Sequence, residues 1–329
     1  MDGFDAGEYA NKWTASGTYN GTTSSTRFGV GKAYYQSLAS QCSITKRFTA
    51  SATTVIGLAF KQLSPPSGYP LRFLALSGDA GVTEHLNLSY VSANTIGLYR
   101  GATQLATAVF TQNAWAYLEI SATIADAGGV AVVRLDGQIV INFTGDTKNA
   151  GTNTTLDTLI LSNYVSSNVH VTAYDDVYIC NSTGTTNNTF LGDVRVQTLV
   201  PTGAGSSTQL TPTGGANYAN VAESPDSTAT YNSSTNVGDR DTYAMGDLAS
   251  GTTAVLGVQD NLAAWKADAG TGNVKAALKV GSTVYYDTTI GLGTGAGTWY
   301  GAVRETNPAT STAWTPGDVN GIEFGAEVA

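Results

Sequence analysis

Apolar side chains in this chain recur at every second position over short runs, and the runs are cut by Gly, Asn, Asp and Ser. Successive side chains of a strand point to opposite faces, so this period gives each run one apolar and one wet face. A helix would need the apolar positions to return every three to four residues, and that pattern is almost absent. The expectation is an all-β fold of antiparallel sheets, packed on one side and solvated on the other.

Individual runs sharpen this. Leu86, Leu88 and Tyr90 share one parity and His85, Asn87 and Ser89 the other, which places His85 on the solvent side. Leu118, Ile120, Ala122 and Ile124 repeat the pattern after Trp115, and the run stops at the turn-forming Asp126-Ala127-Gly128-Gly129. The strongest local signal is Asp136-Gly137 between residues 130–135 and 138–143, because Asp-Gly supplies the positive φ angles of a type I′ turn. Pairing Leu135 with Gln138 then sets Val132 opposite Ile141 and Val130 opposite Phe143, an apolar face over a core. Val169, Val171, Ala173, Val177 and Ile179 share parity up to Cys180, interrupted by Asp175, and close a first domain.

At 329 residues the chain is expected to hold two domains, on a prior of about 150 residues each. The polar stretch 181–188 sets the boundary, giving domains 1–189 and 190–329, and a second polar stretch with Gly and Pro follows at 201–239. Alternation resumes at Val274, Ala276, Leu278 and Val280, turns at Gly281-Ser282 and continues through Val284 and Tyr286. Thr315-Pro316-Gly317-Asp318 reads as a capped single helical turn, and Ile322, Phe324, Ala326 and Val328 as a last strand. The halves share no repeat, so two different β modules are expected.

Charge narrows the partners. The formal net charge is -9, and the 16 Lys and Arg are scattered rather than gathered into a stripe, so a phosphate backbone would be repelled and nucleic acid is excluded as a partner. No apolar run approaches the roughly 20 residues of a membrane span, so no membrane insertion is expected. The opening Met1-Asp2-Gly3-Phe4-Asp5 lacks the basic and apolar regions of a secretory signal, which points to synthesis in a cytosol. Cys42 and Cys180 are too few for a disulfide framework and are expected as reduced, buried thiols.

Catalytic material is thin. Glycoside hydrolysis needs two carboxylates flanking one bond, whereas Glu119 stands alone and Asp126 belongs to a turn. His85 and His170 are the only histidines and fall in no zinc spacing, so no catalytic residue and no cofactor is assigned. Asp175 and Asp176 are the candidate metal ligands, since adjacent carboxylates suit a hard cation such as calcium. Strand alternation sends them to opposite faces, so they share an ion only if a bulge intervenes. Tyr34, Tyr35, Tyr99, Trp299 and Trp314 would stack on sugar rings if exposed in a groove, although single aromatics in strands mostly fill cores.

Four segments carry a family resemblance: residues 115–120 (Trp-Ala-Tyr-Leu-Glu-Ile), 133–137 (Val-Arg-Leu-Asp-Gly), 144–149 (Thr-Gly-Asp-Thr-Lys-Asn) and 175–179 (Asp-Asp-Val-Tyr-Ile). With them the first half resembles the concanavalin A-like (LamG-like) jelly rolls of tailed-bacteriophage structural proteins. Residues 190–196, Asn217-Tyr218 and 313–320 look like the continuation seen in such proteins. The resemblance implies a jelly roll followed by a second, smaller β-sandwich. It further implies a non-enzymatic structural component on the exterior of a virion, capsid-decorating or tail- or fibre-associated, that contacts other virion proteins. The Glu-x-Asp-x-x-Glu signature of the glucanase members has no match here. A symmetric homo-oligomer is the general expectation for such a component. The alternative is an adhesin that holds a host surface glycan on the jelly-roll rim.

Overall fold

The computed structural model describes residues 1–4, 12–17, 20–23, 26–29, 31–37, 42–163, 171–223 and 227–329. They form two compact units, Met1–Val196 and Gln197–Ala329. The protein is all-β, its sheets antiparallel and stacked as sandwiches. No helix among the described residues is long and apolar enough to cross a membrane.

In chain order the strands of the first unit are β1 (Thr14–Ser16), β2 (Asn20–Thr23), β3 (Ala33–Ser37), β4 (Cys42–Ser51), β5 (Thr53–Ser64), β6 (Leu71–Gly78), β7 (Thr83–Ser92), β8 (Thr95–Arg100), β9 (Thr103–Val109), β10 (Ala116–Thr123), β11 (Gly129–Leu135), β12 (Gln138–Gly145), β13 (Leu156–Asn163) and β14 (Val171–Asn181). One seven-stranded sheet runs β1-β4-β13-β6-β7-β8-β9 and the other β12-β11-β10-β5-β14-β3-β2. The chain crosses between sheets at each step from β3 to β6, stays through β9, and crosses again at β10, β13 and β14, which is jelly-roll connectivity.

Both inner faces are apolar because the period-two pattern puts them there. Leu74, Leu76, Leu86, Leu88 and Tyr90 of the first sheet meet Ile56, Leu58, Leu118, Ile120 and Val133 of the second in one buried cluster. The Phe73 ring stacks on Tyr90 at 4.5 Å and on Phe60 at 5.6 Å, tying the sheets together. Buried phenols keep partners: Tyr174 donates to the Phe73 carbonyl at 2.9 Å, and Tyr90 shares a hydrogen bond with Thr172 at 3.0 Å.

Three expectations about parity are corrected, each by a bulge. In the β11–β12 hairpin Asp136 and Gly137 have φ of 49° and 79°, and Leu135 pairs with Gln138, as the turn residues require. A register shift between Val133 and Arg134 then leaves Val140 extra, so Val133 faces Ile141 and Ala131 faces Phe143. The buried row is Ala131, Val133 and Leu135 rather than Val130 and Val132. On β14 a shift between Asp175 and Tyr178 moves the core positions from Thr172 and Tyr174 to Val177 and Ile179, so Ala173 and Val177 do not share a face. On β7 a shift opposite Leu76 and Ser77 turns His85 out of the solvent row, and it is fully buried. Val169 and His170 lie outside the described residues.

The second unit has one six-stranded sheet: Pro201–Thr208, Arg240–Met245, Glu323–Val328, Asn273–Val280 and Thr283–Tyr286 in that order, with Ile290–Gly291 also on Asn273–Val280. Two two-stranded ribbons accompany it. Its core joins Leu278, Trp314, Val319 and Ile322, with Phe324, Met245 and Val258 packed against them. The helical turn Pro316–Asn320 begins in a capping box between Thr315 and Asp318. Arg304 is clamped between Asp260 and Asp287, and burial together with the Asp287 neighbour pushes the Asp260 carboxyl up to about 6.

The division between units falls after Val196 rather than at 189/190, because Phe190, Leu191 and Val194 pack on Val55, Ala59, Tyr117 and Tyr178 of the first unit. Cys42 and Cys180 form no disulfide: Cys42 lies buried on β4, and Cys180 is half-buried on β14, in the other sheet.

Candidate functional site

The acidic pair Asp175-Asp176 sits in the β14 bulge, where Asp176 takes φ of 52°. The bulge brings both carboxylates to one group, Arg27. The Arg27 backbone N–H donates to Asp175 Oδ2 at 3.3 Å and its guanidinium to Asp176 Oδ2 at 3.2 Å. The same guanidinium donates to the Val194 carbonyl at 3.1 Å and pairs with Asp193. Asp176 Oδ1 accepts from the Val196 N–H at 2.8 Å. Burial raises the Asp176 carboxyl above its ordinary range, while the Val196 N–H and Arg27 oppose that shift. The positive charge the pair faces is therefore a side chain of this chain. Among the described residues no three of His, Cys, Asp and Glu converge as a metal site.

Glu119 is also enclosed. Strand β10 directs Tyr117 and Glu119 to the outer face of the second sheet, where residues 190–196 lie across them. Tyr178 donates its hydroxyl to Glu119 Oε1 at 2.5 Å, and the Gly192 N–H donates to the same oxygen at 2.8 Å. The Leu191 N–H donates to the Tyr178 oxygen at 3.1 Å, and the Arg134 guanidinium covers the Phe190 ring at 4.0 Å. With Glu119 only 1% exposed, its carboxylate is closed off from a ligand.

The outer face of the first sheet does carry an opening, a shallow pocket of about 270 Å³ floored by Arg72, Glu84, Asn87, Ser89 and Tyr99. Alternation sets this floor: Leu86, Leu88 and Tyr90 of β7 point into the core, so Asn87 and Ser89 point out. Arg72 pairs with Ser89 across β6 and β7, and Tyr99 pairs with Asn87 across β7 and β8. The bulge that buries His85 brings Glu84 into the same outward row.

These side chains form one relay. The Ser89 hydroxyl donates to Asn87 Oδ1 at 2.8 Å; Asn87 Nδ2 donates to Glu84 Oε1 at 2.7 Å and to the Gly101 carbonyl at 3.1 Å. Glu84 Oε2 forms an ion pair with Arg72, whose Nε donates to Ser162 at 3.2 Å. Tyr99 donates its hydroxyl to Gln104 at 2.8 Å. Its ring takes the space that a side chain at Gly97 would fill: a Cβ there would stand 2.7 Å from the ring. Each member is held in one orientation by its neighbour, which prepares the floor for a ligand.

Behind the floor, Asn149 donates its Nδ2 to the Glu84 carbonyl at 2.9 Å and its backbone N–H to His85 Nδ1 at 3.3 Å. Burial lowers the His85 pKa against the opposing Asp79 carboxylate, and Lys148 adds to the lowering, which favours the neutral imidazole. The segment 144–149 that carried part of the resemblance thus braces the strand bearing Glu84.

Of the aromatics considered for stacking, Tyr34 and Trp314 are core residues, and Tyr99, itself only 9% exposed, lines the pocket. Arg72 and Glu84 were missed in the sequence. The signal they leave is an opposite-charge pair within two apolar strands, readable only once those strands are known to be neighbours.

No family model matches the chain, and no curated protein matches it. Solved structures similar to it include "Cellulose induced protein, Cip1", with a TM-score of 0.47 and 13% identity over 59% of this chain and 99% of that one. The alginate lyase Aly36B has a TM-score of 0.38 and 7% identity over 55% and 92%. The carbohydrate binding module CBM66 from Bacillus subtilis has a TM-score of 0.35 and 11% identity over 51% and 95%. Likeness this remote carries no statement about what the present chain binds or acts on.

Proposed function

We propose that the first unit is a glycan-binding module and that the β6–β8 pocket holds the sugar. The observation that carries this reading is the relay Ser89–Asn87–Glu84–Arg72 beside the Tyr99 ring on the floor of an open pocket. Sugars present hydroxyls that both donate and accept, together with apolar C–H faces. A row of hydroxyl, amide and carboxylate groups next to an aromatic ring matches both properties. The pocket floor carries one carboxylate, Glu84, already ion-paired, whereas hydrolysis of a glycosidic bond uses two; this supports binding without cleavage.

Binding of the purified protein to an array of bacterial surface polysaccharides, followed by titration calorimetry, tests the reading. Asn87→Ala and Tyr99→Ala are each expected to weaken binding at least about tenfold, the equivalent of about 1.4 kcal/mol. Gly97→Ala, which adds no polar change, is expected to weaken it by displacing the Tyr99 ring. Unchanged affinity in all three variants would reject the pocket. The resemblance supplies a setting, the exterior of a phage particle, in which such a module would act as a host adhesin. Antibody labelling of purified particles tests that placement.

A further inference from the structure

The charges on the pocket floor bear on which glycans it would take. Arg72 and Glu84 are the charged residues of the floor, and they neutralise each other. Both carboxylate oxygens of Glu84 are engaged, one by Arg72 and the other by Asn87. The pair is partly withdrawn from solvent, with side chains 18% and 23% exposed, so its charges are incompletely screened. Arg100, next in sequence to the lining residue Gly101, is likewise paired, with Asp146. Burial holds the pKa of His85, behind the floor, below its ordinary value.

We infer that the pocket selects uncharged sugars and rejects those carrying a carboxylate or sulfate, with Glu84 as the discriminating residue; this rests on the glycan-binding reading above. An anionic sugar would bring its charge against the Glu84 carboxylate while Arg72 is already committed to that same carboxylate. To reach Arg72 it would have to break the Arg72–Glu84 pair and leave Glu84 without its cation. A neutral sugar meets neither obstacle, since its hydroxyls add to acceptor and donor atoms whose orientation the relay already sets. The chain's net charge of -9 opposes anionic polymers at longer range as well.

The test compares sugars matched in ring stereochemistry and differing in charge: glucose with glucuronate, mannose with mannuronate and galactose with galacturonate oligosaccharides. Calorimetry at low and moderate salt is run on the full chain and on Glu84→Gln. That substitution keeps the shape of the side chain and removes its charge, and with it the ion pair to Arg72. The expected result is that neutral oligosaccharides bind, their acidic counterparts bind at least tenfold more weakly, and Glu84→Gln raises acidic-sugar affinity at least tenfold. If Glu84→Gln fails to fold, as a shifted melting curve would show, the wild-type comparison of matched pairs decides alone. Acidic members binding the wild type as tightly as neutral ones, with affinity that falls as salt rises, would overturn the selectivity and leave glycan binding standing. Absence of binding to both members of every pair would overturn the glycan-binding reading and the selectivity with it.

Discussion

Arg27 shows how one side chain gathers distant parts of the first unit: its backbone and guanidinium reach Asp175, Asp176, Asp193 and the Val194 carbonyl. Its loss would leave Asp176, 2% exposed, as a buried carboxylate without its ion-pair partner. Arg27→Ala is expected to destabilise the first unit by about 3 kcal/mol in urea unfolding, and Arg27→Lys to recover little, because a point charge cannot replace a fork of donors. An unfolding midpoint within error of wild type would refute this. The acidic pair itself was legible from its adjacency, as was the need for a bulge before both carboxylates met one partner. What the residue types do not announce is that Asp176 adopts a left-handed φ, or that the partner comes from the start of the chain. Neither is a local property.

At the scale of strands and turns, legibility follows how local the determinant is. The Asp136-Gly137 turn, the Gly281-Ser282 turn and the Thr315–Asp318 cap depend on residues a few positions apart, and each is found where its chemistry predicts. The bulges at Val140, at Asp175-Asp176 and beside His85 depend on which register lets a strand fill the core against its neighbours, so simple alternation misassigned the residues beyond them. In the second unit, the segment bearing Arg304 is held by Asp260 and Asp287, and burial sets the Asp260 carboxyl well above its unfolded value. A raised carboxyl means that the folded state holds the proton more tightly. Its contribution is therefore full in acid and is lost as pH rises from about 4, the unfolded value, through about 6, the folded one. Calorimetric melts across that window are expected to show the second unit losing stability as pH rises, and Asp260→Asn is expected to flatten the trend. A wild-type profile that already lacks this slope would count against it.

For the molecule as a whole, fold class was legible because it rests on a repeated pattern, while the pocket was not, because Arg72, Glu84, Asn87 and Tyr99 come from three strands. The outward parity of Asn87 and Ser89 was readable; their convergence with Arg72 and Tyr99 required the sheet order. The packing of residues 190–196 yields a prediction about domain limits: a fragment ending at 196 is expected to melt cooperatively and at higher temperature than one ending at 189. The shorter piece uncovers Tyr117 and Tyr178 and strands Asp176 and Glu119 without the backbone donors of Val196 and Gly192. Equal melting temperatures by circular dichroism would dismiss it. That same stretch has a mechanical consequence. Tension applied to the polypeptide beyond residue 196 arrives first at a clasp of crosswise bonds to Asp176, Arg27 and Glu119, so the ladders of the sandwich bear the pull only after that clasp has given way.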